Sequence, residues 1–211
     1  MINNMLYLPL SPLRIGIDLD GVLVNHTQSW VDKLYEMTGH RPKGWDASKD
    51  PNCWDWMVPY GYTQKQVEEF YQYSNKNGEF WFDMCPLPSL VDLEAVNDAI
   101  DKESVHFITN RPMEVYKHSS NWVRRHFGDR PYSVMHARHK GPIAYGLQLH
   151  CLIDDRPNNL TEVLEYCGLN CMPFLLNKPW NQHEKVSPYI IRIDSIKEGL
   201  DKLYKKVVQC Q

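Results

Sequence analysis

Several features that would place the chain in a membrane, a secretory or a nucleic-acid-binding class are missing from the sequence. No apolar run approaches the roughly 20 residues that a membrane helix needs. The segment from Met1 to Pro12 has neither a basic start nor a small-residue cleavage site. A net charge of −3 gives no reason to expect binding to nucleic acid or to anionic lipid. We therefore expect no membrane span, no secretory signal and no nucleic-acid polymer as a partner.

Cysteine and histidine lack the spacings of a metal site or a disulfide framework. The six cysteines are scattered, and the closest pair, Cys167 and Cys171, is separated by three residues. His136 and His139 could form a metal pair, but no third ligand lies near them in the sequence, so packed or solvated histidines are favoured. The pattern favours reduced thiols and a cytoplasmic location. A Gly-x-x-x-x-Gly-Lys-Ser/Thr loop is also missing, so a P-loop kinase is not supported.

Short apolar runs alternate with segments of helical period through most of the chain. The strand signals cover residues 13–18, 105–109, 132–135, 151–154 and 171–176. The helical signals cover residues 89–100, 113–127, 159–167 and 195–207. This alternation predicts an α/β fold, with a Rossmann-like parallel sheet and helices on both of its faces.

The segment 26–85 breaks the alternation, because it contains helix signals and no convincing strand. Residues 27–37 have a helical period, Thr63 and Gln66 match a capping box, and residues 44–60 are expected to be irregular. The segment holds 13 of the 25 aromatic residues. We predict a small helical cap over residues 26–85, inserted after the first strand of a core formed by residues 1–25 and 86–211.

Two carboxylates follow the first predicted strand. Asp18 and Asp20 stand two residues apart, so both can approach one small volume, one as a nucleophile and the other as a proton shuttle. Gly21 would let the backbone turn sharply beside a bound anion. A simple Asp-Gly turn is the competing interpretation.

Three further polar groups follow later strands. The hydroxyl of Thr109 and the Asn110 amide could donate to phosphate oxygens, and Lys140 could neutralise negative charge. Asp154 and Asp155 end a strand that is predicted to be buried, where adjacent acids are costly without a cation. Magnesium would supply such a cation. The competing interpretations are a turn, a solvated lysine and N-capping of the following helix.

The order of these groups resembles the haloacid dehalogenase-like (HAD) superfamily of phosphotransferases and, within it, the 5′(3′)-deoxyribonucleotidase family. Asp154-Asp155-Arg156-Pro157 and Pro86-Leu87-Pro88 point to the nucleotidase branch. The resemblance spans roughly residues 13 to 181, and it rests on these two segments together with Asp18-Leu19-Asp20-Gly21-Val22-Leu23, Phe80-Trp81-Phe82-Asp83, Ile108-Thr109-Asn110, Trp122-Val123, Phe127-Gly128, Lys140, Leu152-Ile153 and Lys178-Pro179-Trp180-Asn181.

The resemblance implies a Mg²⁺-dependent phosphomonoester hydrolase with Asp18 as the nucleophile and Asp20 as the acid and base. Thr109 and the Asn110 amide would hold the phosphoryl group, and Lys140 would offset its charge. The same resemblance makes Asp18, the Asp20 carbonyl and Asp154 the Mg²⁺ ligands, with Asp155 acting through water or by contact with the ligands. The expected substrate is a nucleoside monophosphate, and the cap is expected to close over the site. The oligomeric state is left open, with a homodimer as one option.

The sequence departs from the family pattern at two places, and it leaves alternative functions to be considered. His26 replaces the aromatic residue usual after the first motif, and a longer spacing before Asp154 makes Arg138 a second candidate for the cation beside Lys140. Another small monoester, such as a sugar phosphate, is an alternative substrate. A signalling receiver domain is disfavoured because its acidic pair would come first. A catalytically dead phosphate-binding protein is disfavoured because Asp18 and Asp20 are both present.

Overall fold

The computed structural model describes residues 12–43, 45–46, 51–87 and 89–209, and its centre is a six-stranded sheet. The strands lie in the order β3-β2-β1-β4-β5-β6, and all neighbouring pairs are parallel. Their bounds are Arg14–Ile17 (β1), Ser104–Thr109 (β2), Tyr132–His136 (β3), Cys151–Asp154 (β4), Met172–Leu176 (β5) and Ile191–Ile193 (β6).

Helices connect the strands along the chain. In the described ranges the α-helices are His26–Thr38 (α1), Gln64–Ser74 (α2), Gly78–Phe82 (α3), Leu90–Lys102 (α4), Tyr116–Phe127 (α5), Lys140–Leu147 (α6), Pro157–Cys167 (α7) and Ile196–Gln209 (α8). The predicted capping box of Thr63 and Gln66 forms at the start of α2. No helix of the described part of the chain is long and apolar enough to cross a membrane.

Alternate residues of the strands pack against helices on opposite faces of the sheet. In β4, Ile153 joins the cluster that contains Trp122 of α5 and Leu200 of α8. Its neighbour Leu152 joins the cluster that contains Leu160 of α7. Since both faces are covered, these strands appear in the sequence as short continuous apolar runs. The predicted α/β class, with a parallel sheet covered on both faces, is confirmed.

The direction in which strands are added to the sheet reverses at β1. Ile17 of β1 pairs with Phe107 of β2 on one side and with Ile153 of β4 on the other. The chain adds β2 and β3 on the first side, then crosses to add β4, β5 and β6 on the second. In open parallel sheets, ligands bind in the crevice outside the carboxyl ends of the strands at such a reversal. For this chain, that crevice lies next to the residue that follows β1.

The segment between β1 and α4 has a hydrophobic cluster of its own. The cluster includes Leu34 of α1, Phe70 of α2 and Trp56 of the intervening loop. Trp81 of α3 belongs instead to the main cluster under the sheet. The segment therefore has both an internal core and a packed attachment to the rest of the molecule. Its bounds as a separate cap, residues 26–85, stay a prediction.

Some expectations from the sequence fall outside the described residues. They concern the secretory signal over 1–11, Gly44 and residues 47–50 of the irregular segment, Pro88 of the Pro-Leu-Pro motif, and Cys210.

Candidate active site

Four chain segments bring polar side chains to the carboxyl edge of the sheet. Asp18 follows β1, Thr109 ends β2, Lys140 begins α6 and Asp154 ends β4. All four residues are buried. Because parallel strands end at a common edge, residues far apart in the sequence meet there. The structure thus brings together the residues that the sequence analysis selected separately.

Lys140 lies between two carboxylates. Its Nζ is 2.7 Å from Asp18 Oδ1 and 2.7 Å from Asp154 Oδ2, and its side chain is 1% exposed. Asp154 also accepts hydrogen bonds from the Arg156 backbone N–H at 2.8 Å and from the Asn159 side-chain amide at 3.0 and 3.1 Å. These donors fix the orientation of Asp154, and with it the position of the Lys140 ammonium beside Asp18.

Two alternatives from the sequence do not fit the geometry, namely Arg138 as the cation and N-capping of α7 by Asp154 or Asp155. Arg138, the second candidate for the cation, is exposed. Helix α7 begins without a side-chain cap from the described residues, so neither Asp154 nor Asp155 caps it. His136 contacts a backbone carbonyl through Nδ1, and His139 pairs with a glutamate, so the two histidines have separate partners, as expected.

Burial and mutual attraction set the charges of this group. Burial raises the pKa of Asp18 to about 7, against the opposing attraction of Lys140. Burial alone would lower the pKa of Lys140, but the carboxylates of Asp154 and Asp18 outweigh it and raise that pKa above the usual value. The lysine is therefore protonated throughout the range in which Asp18 titrates.

Asp155 is a fully buried acid. Neither of its carboxylate oxygens has a hydrogen-bond partner among the described residues. Burial, followed by the charges of Asp154 and Asp18, raises its pKa well above the usual range. Gly21 lies against it with a φ of +81°, and a Cβ at Gly21 would lie 2.3 Å from Asp155 Oδ2. Both the backbone conformation and the close approach therefore require glycine at position 21.

The three buried acids have the geometry of a cation site. Asp18, Asp154 and Asp155 each offer an oxygen, and these oxygens lie within 4.8 Å of one another. Buried carboxylates are costly unless a cation compensates them, and the unpartnered oxygens of Asp155 show such a deficit. Hard oxygen donors suit Mg²⁺ or Ca²⁺. The donor set therefore fits a hard divalent cation, and Asp155 belongs to it together with the other two acids.

Arg111, to which the sequence analysis gave no role, binds Asp20. The guanidinium donates from Nε to Oδ2 at 2.9 Å and from Nη2 to Oδ1 at 2.6 Å. The Thr109 hydroxyl lies 3.5 Å from the same Oδ2. Burial would raise the pKa of Asp20, but the positive charge of Arg111 outweighs it and holds that pKa below its usual value. The two acids of the first motif are thus paired with different cations.

A cavity of about 240 Å³ opens above these groups. Asp18, Asp20, Thr109 and the exposed Asn110 line its polar side. The rings that line its other side come from the segment 26–85 and are His26, Trp30, Trp54, Tyr71 and Trp81. The Arg156 guanidinium stacks over Trp54 at 4.4 Å and also lines the cavity. The lining thus combines charged and polar groups of the sheet edge with aromatic rings of the segment 26–85.

The aromatic residues of the segment 26–85 divide between this cavity and the packing of the segment. Trp54 and Trp81 line the cavity. Trp56 lies in the internal cluster with Trp45 packed against it, and Phe82 packs against the main cluster. The aromatic residues of the segment therefore contribute both to its internal packing and to the lining of the cavity.

His26 takes part in the cavity wall as a neutral ring. Its centroid lies 5.1 Å from the ring of Trp30 and 5.4 Å from that of Trp54. Burial lowers the pKa of His26 to about 4, so the imidazole is uncharged at neutral pH. The helical period of α1 could have placed His26 and Trp30 on one side of that helix, but it could not have shown that this side faces the cavity.

A comparison with protein-family models identified one matching family. The model of the family described as 5′ nucleotidase, deoxy (pyrimidine), cytosolic type C protein matches residues 11–207. A comparison with curated proteins gave no match.

Solved structures with a similar fold come from several organisms. YfnB of Bacillus subtilis, in its magnesium-bound form, is 12% identical with a TM-score of 0.58, over 92% of this chain and 99% of that chain. The haloacid dehalogenase-like hydrolase SP0104 of Streptococcus pneumoniae is 15% identical with a TM-score of 0.56, over 90% and 98%. A predicted phosphoglycolate phosphatase of Haemophilus somnus is 17% identical with a TM-score of 0.53, over 92% and 99%.

At these identities the structural likeness concerns the fold, whereas the family match extends over nearly the whole chain and carries the type of activity. The chain shares the fold of haloacid dehalogenase-like hydrolases, belongs to the cytosolic type C family of deoxy (pyrimidine) 5′-nucleotidases, and is an enzyme of the phosphatase class.

Proposed function

We propose that the protein is a Mg²⁺-dependent phosphatase that hydrolyses nucleoside monophosphates through a phosphoryl group carried on Asp18. The observation that carries the proposal is the position of Asp18, 2.7 Å from the buried Lys140 ammonium at the charged end of a cavity with aromatic walls. A nucleophile in such a place can meet the phosphate of a substrate whose flat group lies between the rings.

In the first step an oxygen of Asp18 attacks phosphorus, and the bond between phosphorus and the ester oxygen breaks. Asp20 donates a proton to that oxygen, so the alcohol leaves neutral and the phosphoryl group remains on Asp18. The Thr109 hydroxyl and the Asn110 amide hold the phosphoryl oxygens. Lys140 offsets the repulsion between the Asp18 carboxylate and the phosphate dianion.

In the second step a water molecule attacks phosphorus while Asp20, now ionised, accepts one of its protons. The bond between phosphorus and Asp18 breaks, which releases inorganic phosphate and restores the carboxylate. The pairing of Asp20 with Arg111 favours the ionised form that this step requires and opposes the protonated form that the first step requires, so Asp20 must take up a proton before the ester bond breaks. Both steps use the same acid, so its orientation matters in each direction of proton transfer.

Asp18 and Asp154, with the Asp20 carbonyl, would hold Mg²⁺ in this scheme. Asp155 is added to that set because its oxygens are unpartnered and lie within the same cluster. The ion would supply positive charge where the carboxylate and the phosphate approach each other. Magnesium is favoured over other hard cations because YfnB, which shares the fold, has been described in a magnesium-bound form.

The aromatic walls and the family description together support a nucleoside monophosphate as the substrate. Base stacking on aromatic rings tolerates any base, so the walls suit the class and do not select a base. A sugar phosphate or another small monoester is the alternative, and one fold relative is described as a predicted phosphoglycolate phosphatase.

We further propose that residues 26–85 close over the site as a cap and that the enzyme acts in the cytoplasm. A homodimer is an option for its assembly.

Phosphate release from a panel of monoesters tests the proposal. With Mg²⁺ present we expect turnover of deoxynucleoside and nucleoside monophosphates, among them dUMP, dTMP, UMP and AMP, above that of sugar phosphates and p-nitrophenyl phosphate. Preference for sugar phosphates would contradict the nucleotide assignment while retaining the chemistry. No release from any ester would contradict the proposed function as a whole.

Mg²⁺ binding should weaken as the pH falls through 7. Below a pKa of about 7 the Asp18 carboxyl is protonated, so each bound ion must displace a proton. The raised pKa of Asp155 acts in the same direction. The apparent affinity should therefore fall by up to about tenfold per pH unit for each displaced proton. Calorimetric titration with Mg²⁺ at pH 6, 7 and 8, in two buffers of different ionisation enthalpy, measures both the affinity and the protons released.

Chelation supplies the matching control. Excess EDTA should stop phosphate release, and added Mg²⁺ should restore it. An affinity that is constant from pH 6 to 8, or full activity in EDTA, would contradict the assignment of these acids to the ion.

A further inference from the structure

Arg111 connects the acid of the first motif to the segment 26–85. Its side chain is fully buried, and it is bound to Asp20 through two parallel hydrogen bonds. The guanidinium also stacks over the ring of Trp81 in α3, 4.8 Å from the centroid. Its Nη1 donates to Ser119 Oγ on α5 at 3.4 Å. Three parts of the molecule therefore determine where this one guanidinium lies.

Trp81 is itself held in place. Its indole N–H donates to the Ser74 carbonyl at the end of α2 at 2.7 Å, and the ring lines the cavity. The position of the Arg111 guanidinium thus depends on α2 and α3 as well as on the sheet. Any displacement of these helices would reach Asp20 through the stacked ring.

Asp20 has few other restraints. It follows β1 on a loop, and beyond Arg111 the side-chain contact described for its carboxylate is the Thr109 hydroxyl at 3.5 Å, a distance at the outer limit of a hydrogen bond. A bidentate arginine fixes both the position and the plane of a carboxylate, which a single donor cannot do. A displacement of about 1 Å in a catalytic group can cost on the order of 10²-fold in rate.

We propose that Arg111 is a positioning residue, which orients Asp20 toward the ester oxygen and makes that orientation depend on the packing of Trp81. The inference rests on the proposed function, since it assigns Arg111 a role in the proton transfer by Asp20. It differs from a role in binding phosphate, because the guanidinium is already engaged by Asp20, Trp81 and Ser119.

Dependence on the leaving group separates these roles. An alkyl alcohol, such as the 5′-hydroxyl of a nucleoside, is a poor leaving group and needs the proton from Asp20, whereas p-nitrophenolate leaves without one. In a two-step reaction, kcat/KM covers events up to release of the alcohol, so the later attack of water does not enter it. Misplacement of Asp20 should therefore lower kcat/KM for the alkyl ester much more than for the aryl ester.

The experiment compares kcat/KM for dUMP, or for the alkyl monophosphate that the wild type hydrolyses best, with that for p-nitrophenyl phosphate. We expect Arg111→Gln to lower the alkyl value at least tenfold more than the aryl value. Arg111→Lys keeps the charge but cannot form the two parallel hydrogen bonds, so its loss of kcat/KM on the alkyl ester should lie between those of Arg111→Gln and the wild type. Arg125→Gln is the matched control, because Arg125 also stacks on a ring of α3, Phe82 at 5.1 Å, but is exposed. It should change neither value by more than about twofold.

A double-mutant cycle gives the second measurement. If Arg111 acts through Asp20, Arg111→Gln should cost less than about threefold on the alkyl ester once Asp20→Asn is present. Equal losses on both esters, or a full further loss on top of Asp20→Asn, would overturn the inference in favour of a phosphate-binding or purely structural role. If Arg111→Gln does not fold, Arg111→Lys is measured on the same two esters and judged by the same criterion.

The wild type and Asp20→Asn show which proposal has failed. If the wild type hydrolyses neither ester, the proposed function is wrong and the inference falls with it. If Asp20→Asn shows the difference between the two esters and the Arg111 variants do not, only the inference about Arg111 is wrong.

Discussion

Asp18→Asn is expected to abolish turnover while leaving the fold intact. Without the carboxylate no phosphoryl-aspartate can form, and loss of a nucleophile typically costs on the order of 10⁴-fold or more in kcat. The fold should persist because burial already raises the pKa of Asp18 to about 7, which means that the site tolerates a neutral group there. The asparagine carbonyl can still accept a hydrogen bond from Lys140.

Two measurements check this result. Phosphate release with the best ester of the panel gives the rate, and mass spectrometry of acid-quenched protein detects a phosphoryl group on the peptide that contains Asp18. Asp98→Asn is the control, since Asp98 is exposed on α4 and pairs only with Lys102 among the described residues, at 3.6 Å. Activity of Asp18→Asn within tenfold of the Asp98→Asn control, or an adduct on another residue, would contradict the assignment of the nucleophile.

The sequence was informative where burial alone decides structure. The runs that became β1, β2, β3, β4 and β5 were all predicted as strands. In β4, for example, Leu152 and Ile153 pack on opposite faces, so nothing but apolar residues fits either position. The same logic located Asp18 and Asp154, because a polar residue at the end of such a run marks the carboxyl edge of the sheet.

Elements that depend on distant contacts were not predicted. Strand β6 has three residues, Ile191–Ile193, and is defined by pairing with β5. Helix α3 has five residues. Helix α6 begins at Lys140 and contains Gly141, Pro142 and Gly146, which weaken a helical signal. Short or broken elements such as these are stabilised by tertiary packing, which a local pattern does not contain.

The partners of the charged residues were likewise beyond the sequence. Arg111 stands two residues after Thr109, but its partner Asp20 is 91 residues away in the sequence. The distance of Asp155 from the other two acids was also beyond the sequence, and the structure places its unpartnered oxygens in the cluster with Asp18 and Asp154. The directions of adjacent acids depend on the loop that follows their strand and on its neighbours, and here Asp155 lies against Gly21 of a separate loop after β1.

Replacement of Lys140 by methionine should impair both stability and activity. The ammonium is the cation that contacts Asp18 and Asp154, at 2.7 Å in each case. Without it, two buried carboxylates face each other uncompensated, and breaking a buried ion pair from one side costs about 3–5 kcal/mol. Loss of a group that stabilises charge in the transition state lowers the rate by about 10²–10³-fold. We therefore expect both the free energy of unfolding and kcat to fall.

The dependence on pH and on Mg²⁺ distinguishes a loss of charge from a loss of packing in this variant. Burial raises the pKa of Asp18 and Lys140 opposes that rise. Without Lys140 the folded state therefore holds a proton on Asp18 that the unfolded chain has released, so the free energy of unfolding should decrease as the pH rises. Mg²⁺ should recover part of that loss by supplying charge to the same carboxylates. Urea unfolding at pH 6 and 8, with and without Mg²⁺, measures both effects.

Lys202→Met is the matched control, because Lys202 forms an exposed pair with Glu198 on α8 and should contribute less than about 1 kcal/mol. A Lys140→Met variant that is no less stable than this control, or whose stability responds to neither pH nor Mg²⁺, would show that the ammonium does not compensate the two acids. The expected pattern has the largest loss of unfolding free energy at pH 8 without metal. It would mean that Lys140 and a divalent cation both offset the negative charge of the buried carboxylates, which allows Asp18 to stay ionised and attack an anionic phosphate.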